Sequence, residues 1–332
     1  MASSNYITKI AIVGAGGNLG THITHSLLST KTHTITALTR AESQTQLPTG
    51  VLTKTIDYTK PETIVSALQG QEALIITLGV QAPKDTEEKL IRAAAEAGVS
   101  WIMPNEWSPD TANEGLARDV AVFGPKGNIR TLITSFPTLS HLSLSTGFWY
   151  EWSLALPPCF GIDIPSRTAT FFDNGRTPIS VSTWPDIGAT VAALLSLPVN
   201  VEKSEGSTSL MQLRNKLLYT CSFTLSQREM FASVLRATST TDSEWSISYE
   251  PVRERYATGL KEMGEGSRAG FAKMMYARVF WEDGCGDFER EGGVGIVDGS
   301  LRGLEKERGE KGVDVGTRVA VERAGRGGGW SG

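Results

Sequence analysis

The residues best placed to do chemistry come early in the chain. Gly14-Ala15-Gly16-Gly17-Asn18-Leu19-Gly20 has the spacing Gly-x-x-Gly-x-x-Gly and directly follows the apolar run Lys9 to Val13. Small residues with this spacing let a chain turn tightly out of a strand, bring its backbone against a pyrophosphate, and pack the next helix closely on a sheet. The amides at that helix's N-terminus then face the anion. The competing reading is an ordinary glycine-rich strand-to-helix turn with no ligand. Arg40 stands twenty residues beyond Gly20, at the end of the second apolar run. A site selective for NAD usually carries an acid there for the ribose diol, and Thr36-Ala37-Leu38-Thr39 offers none. An arginine suits a 2′-phosphate by charge and by its fork of donors, so NADP(H) is the expected cofactor. Thr77 and Gly79 close another apolar run, where strand-end loops form the ligand crevice of such sheets.

Other chemistries lack a starting point. No tyrosine is followed four residues later by lysine, so the proton-donor pair of ordinary short-chain dehydrogenases is missing. That absence also weighs against a sugar-nucleotide epimerase or dehydratase. There is no Gly-x-Ser-x-Gly elbow and no His-Glu-x-x-His. Cys159, Cys221 and Cys285 lie far apart, and the four histidines do not cluster near them, so neither a disulfide framework nor a metal site is expected. What remains are polar and aromatic residues after expected strand ends: Asn105, Glu106 and Trp107, then Lys126, then Phe148-Trp149-Tyr150.

These residues need a scaffold, and the pattern from Thr8 to Trp107 supplies one. Short apolar runs alternate with helical stretches, which is the wiring of a parallel α/β sheet. Strands are expected at Lys9–Val13, His33–Leu38, Lys54–Ile56, Ala73–Leu78 and Val99–Met103, with helices at Leu19–Leu28, Pro61–Leu68 and Asp85–Ala97. Farther on, one helix over Asp119–Ile133 is weakened by Gly124, Pro125, Gly127 and Asn128. Leu139–Ser145 reads as a strand, and Asp173-Asn174-Gly175 as a hairpin turn between Ala169–Phe172 and Pro178–Val181. A helix over Pro185–Leu197 and a strand over Leu217–Cys221 follow, then a capping box at Ser226 to Glu229 opening a helix to about Leu235. Glu244–Tyr249 and Val252–Met263 repeat the strand-then-helix theme.

The sequence resembles the atypical short-chain dehydrogenases of the isoflavone reductase and phenylcoumaran benzylic ether reductase group, and the fungal NmrA-like proteins related to it. The likeness rests on the glycine loop, Arg40, Met103-Pro104-Asn105-Glu106-Trp107, Lys126 followed by Arg130, and Ser145-Thr146-Gly147-Phe148-Trp149-Tyr150. It covers residues 8 to 200, more loosely to about Glu289. Gly16 stands where the family more often has threonine. The resemblance implies a doubly wound nucleotide domain with a smaller, discontinuous C-terminal substrate region. It implies that Lys126 lies near nicotinamide and substrate as proton donor, and that Phe148 and Trp149, with Asn105 and Trp107, line the substrate pocket. The activity implied is NADPH-dependent reduction of a small aromatic or conjugated metabolite. The alternative is a non-catalytic NADP(H)-sensing regulator that contacts a protein partner.

Length and composition agree with this division. The 332 residues, 40% hydrophobic and 20% charged, suit a soluble α/β protein of about two domains. We expect a nucleotide domain over 1–155, a substrate region over 156–283 packing back on it, and a tail over 284–332. That tail carries 15 of the 35 glycines and 17 charged residues, and is expected to be irregular with at most a short helix near Thr317 to Arg323. A net charge of −4 without a basic stripe disfavours direct nucleic-acid binding. Met1 to Thr8 is too short for a signal segment, so a cytoplasmic, non-membrane setting is expected.

Overall fold

The structure is a computed structural model and describes residues 5–201, 208–289 and 309–327. Its centre is a seven-stranded, wholly parallel sheet. The strands are β1 (Lys9–Val13), β2 (Thr34–Arg40), β3 (Leu52–Ile56), β4 (Ala73–Ile76), β5 (Trp101–Met103), β6 (Ser140–Ser145) and, after four strands that lie elsewhere, β11 (Lys216–Tyr219). Their order, β11-β6-β5-β4-β1-β2-β3, reverses direction between β1 and β4, and a ligand crevice opens at such a switch point. Val13 is level with both Leu38 and Ile76, so the chain leaves β1, β2 and β4 at one edge.

The alternation of β1 explains why both faces are covered. Ile10 and Ile12 point to one cluster, with Leu19, Ile23 and Leu27 of α1 (Asn18–Ser29). Ala11 and Val13 point to the other, with Ile64 and Leu68 of α2 (Pro61–Leu68) and Leu90 and Ile91 of α3 (Thr86–Ala97). Each of these Val, Leu and Ile side chains, fully buried, contributes about 1.5–3 kcal/mol. Gly98 ends α3 in the left-handed conformation, with φ 78°.

Residues 119–133 do not form one helix. The chain makes α4 (Glu114–Asp119), turns, and restarts at α5 (Lys126–Thr134). Pro125, which has no N–H to donate, sits at the N-cap of the second helix, and Lys126 becomes its first residue.

A third cluster gathers the rest of the chain. It holds two small sheets, built from β7 (Phe148–Trp149), β8 (Ile162–Asp163), β9 (Thr168–Phe172), β10 (Ile179–Ser182), β12 (Phe223–Leu225) and β13 (Ser246–Glu250). Around them lie α6 (Tyr150–Leu154), α7 (Pro157–Phe160), α10 (Gln227–Thr238), α11 (Val252–Gly264), α12 (Arg268–Val279) and α13 (Glu310–Gly325). Helix α8 (Trp184–Leu195) crosses α1 instead, where a side chain at Gly188 would meet the His22 carbonyl carbon at 2.8 Å. The short α9 (Leu210–Leu213) leads into β11. The central sheet and its cover therefore draw α8 and β11 from beyond residue 155.

Asp173-Asn174-Gly175 is not a hairpin: β9 pairs in parallel with β13, while β10 pairs in parallel with β7 and antiparallel with β12, so the turn carries the chain between two sheets. Its partners come from later segments, with Asp173 N–H donating to the Glu250 carbonyl and Arg228 N–H to that of Gly175. The helix expected near Thr317 to Arg323 runs from Glu310 to Gly325 and buries Val313, Gly316, Thr317, Ala320 and Ala324. The remaining tail, 290–308 and 328–332, lies outside the described residues.

Candidate functional site

The glycine turn forms as its spacing requires. Gly14 leaves β1 with φ +80°, and a Cβ there would lie 2.1 Å from the Thr77 carbonyl oxygen. A Cβ on Gly20 would lie 2.0 Å from the carbonyl oxygen of Gly14, so helix α1 can approach the strand end only with glycine at both places. Gly17 N–H donates to the Gly14 carbonyl at 2.9 Å, and Gly17 then caps α1 ahead of Asn18 and the buried Leu19. Thr77 straps the turn to the sheet: its hydroxyl donates to the Val13 carbonyl at 2.8 Å and its N–H to the same oxygen at 3.0 Å. Gly79 has open space around its Cα, so no contact requires a glycine there.

Arg40 is the last residue of β2, exposed at the rim, with Nε 3.3 Å from a Glu42 carboxylate oxygen. Gly16 meets the loop after β2: a Cβ there would lie 2.3 Å from Thr45 Cγ2 and 2.9 Å from the Gln46 carbonyl oxygen.

Asn105 and Trp107 brace the crevice from beneath. The Asn105 amide both accepts from Leu78 N–H and donates to the Leu78 carbonyl, each at 3.1 Å. The Trp107 indole donates to the Ile76 carbonyl at 2.7 Å, and its ring is buried. Both side chains thus hold the end of β4. Lys126 Nζ donates to the Asn105 carbonyl. Glu87, in the first turn of α3, accepts the Asn105 N–H at 2.7 Å. Burial pushes the Glu87 carboxyl above its ordinary range, partly offset by the Lys126 charge and the Asn105 hydrogen bond. Lys126 is therefore half-buried and fixed by a carbonyl beside a buried acid. Next to it, Glu106 accepts from Arg130 at 2.8 Å and from the Thr111 hydroxyl.

Sequence reading missed Glu87, because an acid in a helix's first turn is already explained by the helix dipole. The signal was its spacing: Glu87, Leu90, Ile91 and Ala94 share the buried face of α3.

The aromatic segment divides. Phe148 stacks on Tyr276 at 3.8 Å between ring centres and belongs to the C-terminal cluster. Trp149 is half-buried against Trp184, whose ring in turn stacks on His22 of α1. The indole N–H groups of Trp149 and Trp184 have no acceptor among the described residues. Behind them Glu151 is buried with both carboxylate oxygens 3.2 Å from Trp184 N–H.

A parallel sheet with a switch point, a glycine-only turn at its first strand and a crevice at the strand ends define a Rossmann-class nucleotide-binding α/β protein. A Cβ at Gly14 or Gly20 would collide with the Thr77 or Gly14 carbonyl and push α1 off the strand end, so the turn has the tight strand-to-helix approach that a dinucleotide's pyrophosphate needs. The chain belongs to the NmrA-like family, whose model matches residues 7–205. The protein named oxidoreductase aprR from Aspergillus flavus is 27% identical over 271 residues, covering 80% of this chain and 85% of that protein. Among solved structures, AtPrR2 with NADP+ and (+)-pinoresinol superposes with a TM-score of 0.70 at 17% identity, over 93% of this chain and 98% of that one. The NADPH-dependent quinone oxidoreductase QOR2 of Escherichia coli, complexed with NADPH, gives 0.60 at 21% identity, over 83% and 90%. Among the described residues no helix is long and apolar enough to cross a membrane.

Proposed function

We propose that this protein is an NADPH-dependent reductase of a small aromatic or conjugated metabolite. The observation that carries the reading is the glycine-only turn locked between β1 and β4 with an arginine, not an acid, ending β2. The relatives named oxidoreductases, and the like fold of structures solved with NADP+ or NADPH, support it. The glycine turn and the N-terminus of α1 would hold the pyrophosphate, and Arg40 the 2′-phosphate. When bound, NADPH supplies a hydride. Lys126 is the residue available to deliver a proton, held by Asn105 beside Glu87. Trp149 offers a half-buried aromatic wall for the substrate.

One observation favours the second reading, a dinucleotide-sensing regulator without turnover: the Lys126 ammonium is already engaged by a main-chain carbonyl. Binding of NADPH and NADH, followed by fluorescence in wild type and Arg40→Ala, tests the cofactor assignment. The expected result is a loss of about tenfold or more for NADPH, the scale of a charge-assisted hydrogen bond, with NADH little changed. Equal losses for the two cofactors overturn the 2′-phosphate role.

A further inference from the structure

Arg40 is not a free cation waiting at the rim. The chain turns directly after it, with Ser43 N–H donating to the Arg40 carbonyl at 3.1 Å, and this turn places Glu42 against the guanidinium. Both side chains are well exposed, 61% for Arg40 and 68% for Glu42, so the pair is weak and exchangeable. The same loop then folds back onto the glycine turn. Thr45 and Gln46 sit where a Cβ of residue 16 would be, and Leu47 anchors the loop against the core beneath. Glycine at position 16 thus lets the loop draw Glu42, Arg40 and the pyrophosphate turn into one rim.

We propose that Glu42 is a specificity-determining residue for the cofactor: it is the resident counter-ion of Arg40, which a 2′-phosphate must displace. The proposal rests on the 2′-phosphate reading of Arg40 given above. A phosphate monoester carries up to two charges at neutral pH, against one on the carboxylate, and presents three acceptor oxygens to the guanidinium fork. It therefore wins the exchange. Glu42 stays tethered two residues away and repels the newcomer, so it narrows the margin by which NADPH is preferred over NADH. Because these charges are solvent-exposed, the margin depends on ionic strength.

The test is binding of NADPH and NADH to wild type, Glu42→Gln and Arg40→Ala at low and high salt. Glu42→Gln is expected to tighten NADPH about five- to tenfold at low ionic strength, with NADH unchanged and the gain largely lost near 0.5 M salt. If Arg40→Ala weakens NADPH selectively but Glu42→Gln alters neither cofactor, or both equally, the proposal is wrong and the Arg40 reading stands. Weaker NADH binding in Glu42→Gln would make Glu42 a ribose ligand and also overturns it. Equal losses of both cofactors in Arg40→Ala overturn the Arg40 reading and the proposal together.

Discussion

Lys126 shows how little a residue's type says about its chemistry until its neighbours are known. In sequence it is a lysine among helix breakers. In the structure it starts α5, reaches the Asn105 carbonyl and faces the buried acid Glu87. This site is anchored through one residue: Asn105 spends its side chain on Leu78, its N–H on Glu87 and its carbonyl on Lys126. The proposed proton donor is thus set apart from the glycine turn and Arg40, which are the groups proposed to hold the cofactor's phosphates. Lys126→Ala is therefore expected to lower turnover about a hundredfold or more, with NADPH affinity little changed. The measurement is NADPH oxidation with a conjugated ketone or quinone found by screening, alongside the binding titration. Unchanged turnover would remove the proton-donor role. The glycine turn, and the place of Arg40 at the end of β2, were legible because their demands are local. The engagement of Asn105 and Trp107 with β4 was not, because both partners are main-chain groups some thirty residues away.

At the scale of elements, legibility followed periodicity. The first five strands and three helices matched, most of them because they bury one face or both in a simple pattern, while β3 buries Ile56 alone. Helix α12 went unread for the opposite reason: Gly270, Ala272, Met274, Tyr276, Ala277, Arg278 and Val279 are all buried, leaving no polar stripe to mark a solvent face. Its buried Arg278 is paired with Asp119 at 2.7 Å and with Asp283 at 2.9 Å. Helix α13 hid within a glycine-rich, charged composition. Gly316 is buried against the Tyr150 ring, where a Cβ would lie 2.9 Å from Cδ1. The charges of α13 are spent on partners too, Asp314 pairing with Arg236 at 2.8 Å. A buried hydroxyl relay fastens the helix: Tyr150 to Thr317 at 2.8 Å, and Thr317 to Ser233 at 2.7 Å. Tyr150 directly follows Trp149, so α13 backs the segment that carries Trp149. Thr317→Val keeps the shape and removes the relay's central hydroxyl, at an expected cost of about 1–3 kcal/mol. A urea titration reads this as a lowered midpoint with an unchanged slope. An unchanged midpoint would mean that the relay does not hold the helix.

For the whole molecule, the return of α8 and β11 onto the first half, and the packing of α13 on α6 and α10, bury titratable groups whose pH effects oppose one another. His141 of β6 is desolvated and lies near Arg130, which together push it down to about 4. Stability tied to His141 is present above the ordinary histidine value of 6.5 and is lost as pH falls from there towards 4. Glu151 behaves inversely. Burial, then the charge of Asp186, push its carboxyl up to about 7, against hydrogen bonds from its own N–H and that of Trp184 and the charge of Arg323. Between its ordinary 4.5 and about 7 the folded protein binds more protons at Glu151 than the unfolded chain, so stability falls as pH rises through that window. The two slopes offset each other from mildly acidic to neutral pH, and above neutrality only the Glu151 loss persists. Glu151→Gln keeps an acceptor for the Trp184 N–H and removes the titration. Its stability relative to wild type should rise by about 2 kcal/mol between pH 5 and pH 8. Urea midpoints of the two proteins at those pH values measure this. If the two run parallel in pH, the proton on Glu151 has no part in the stability of the fold.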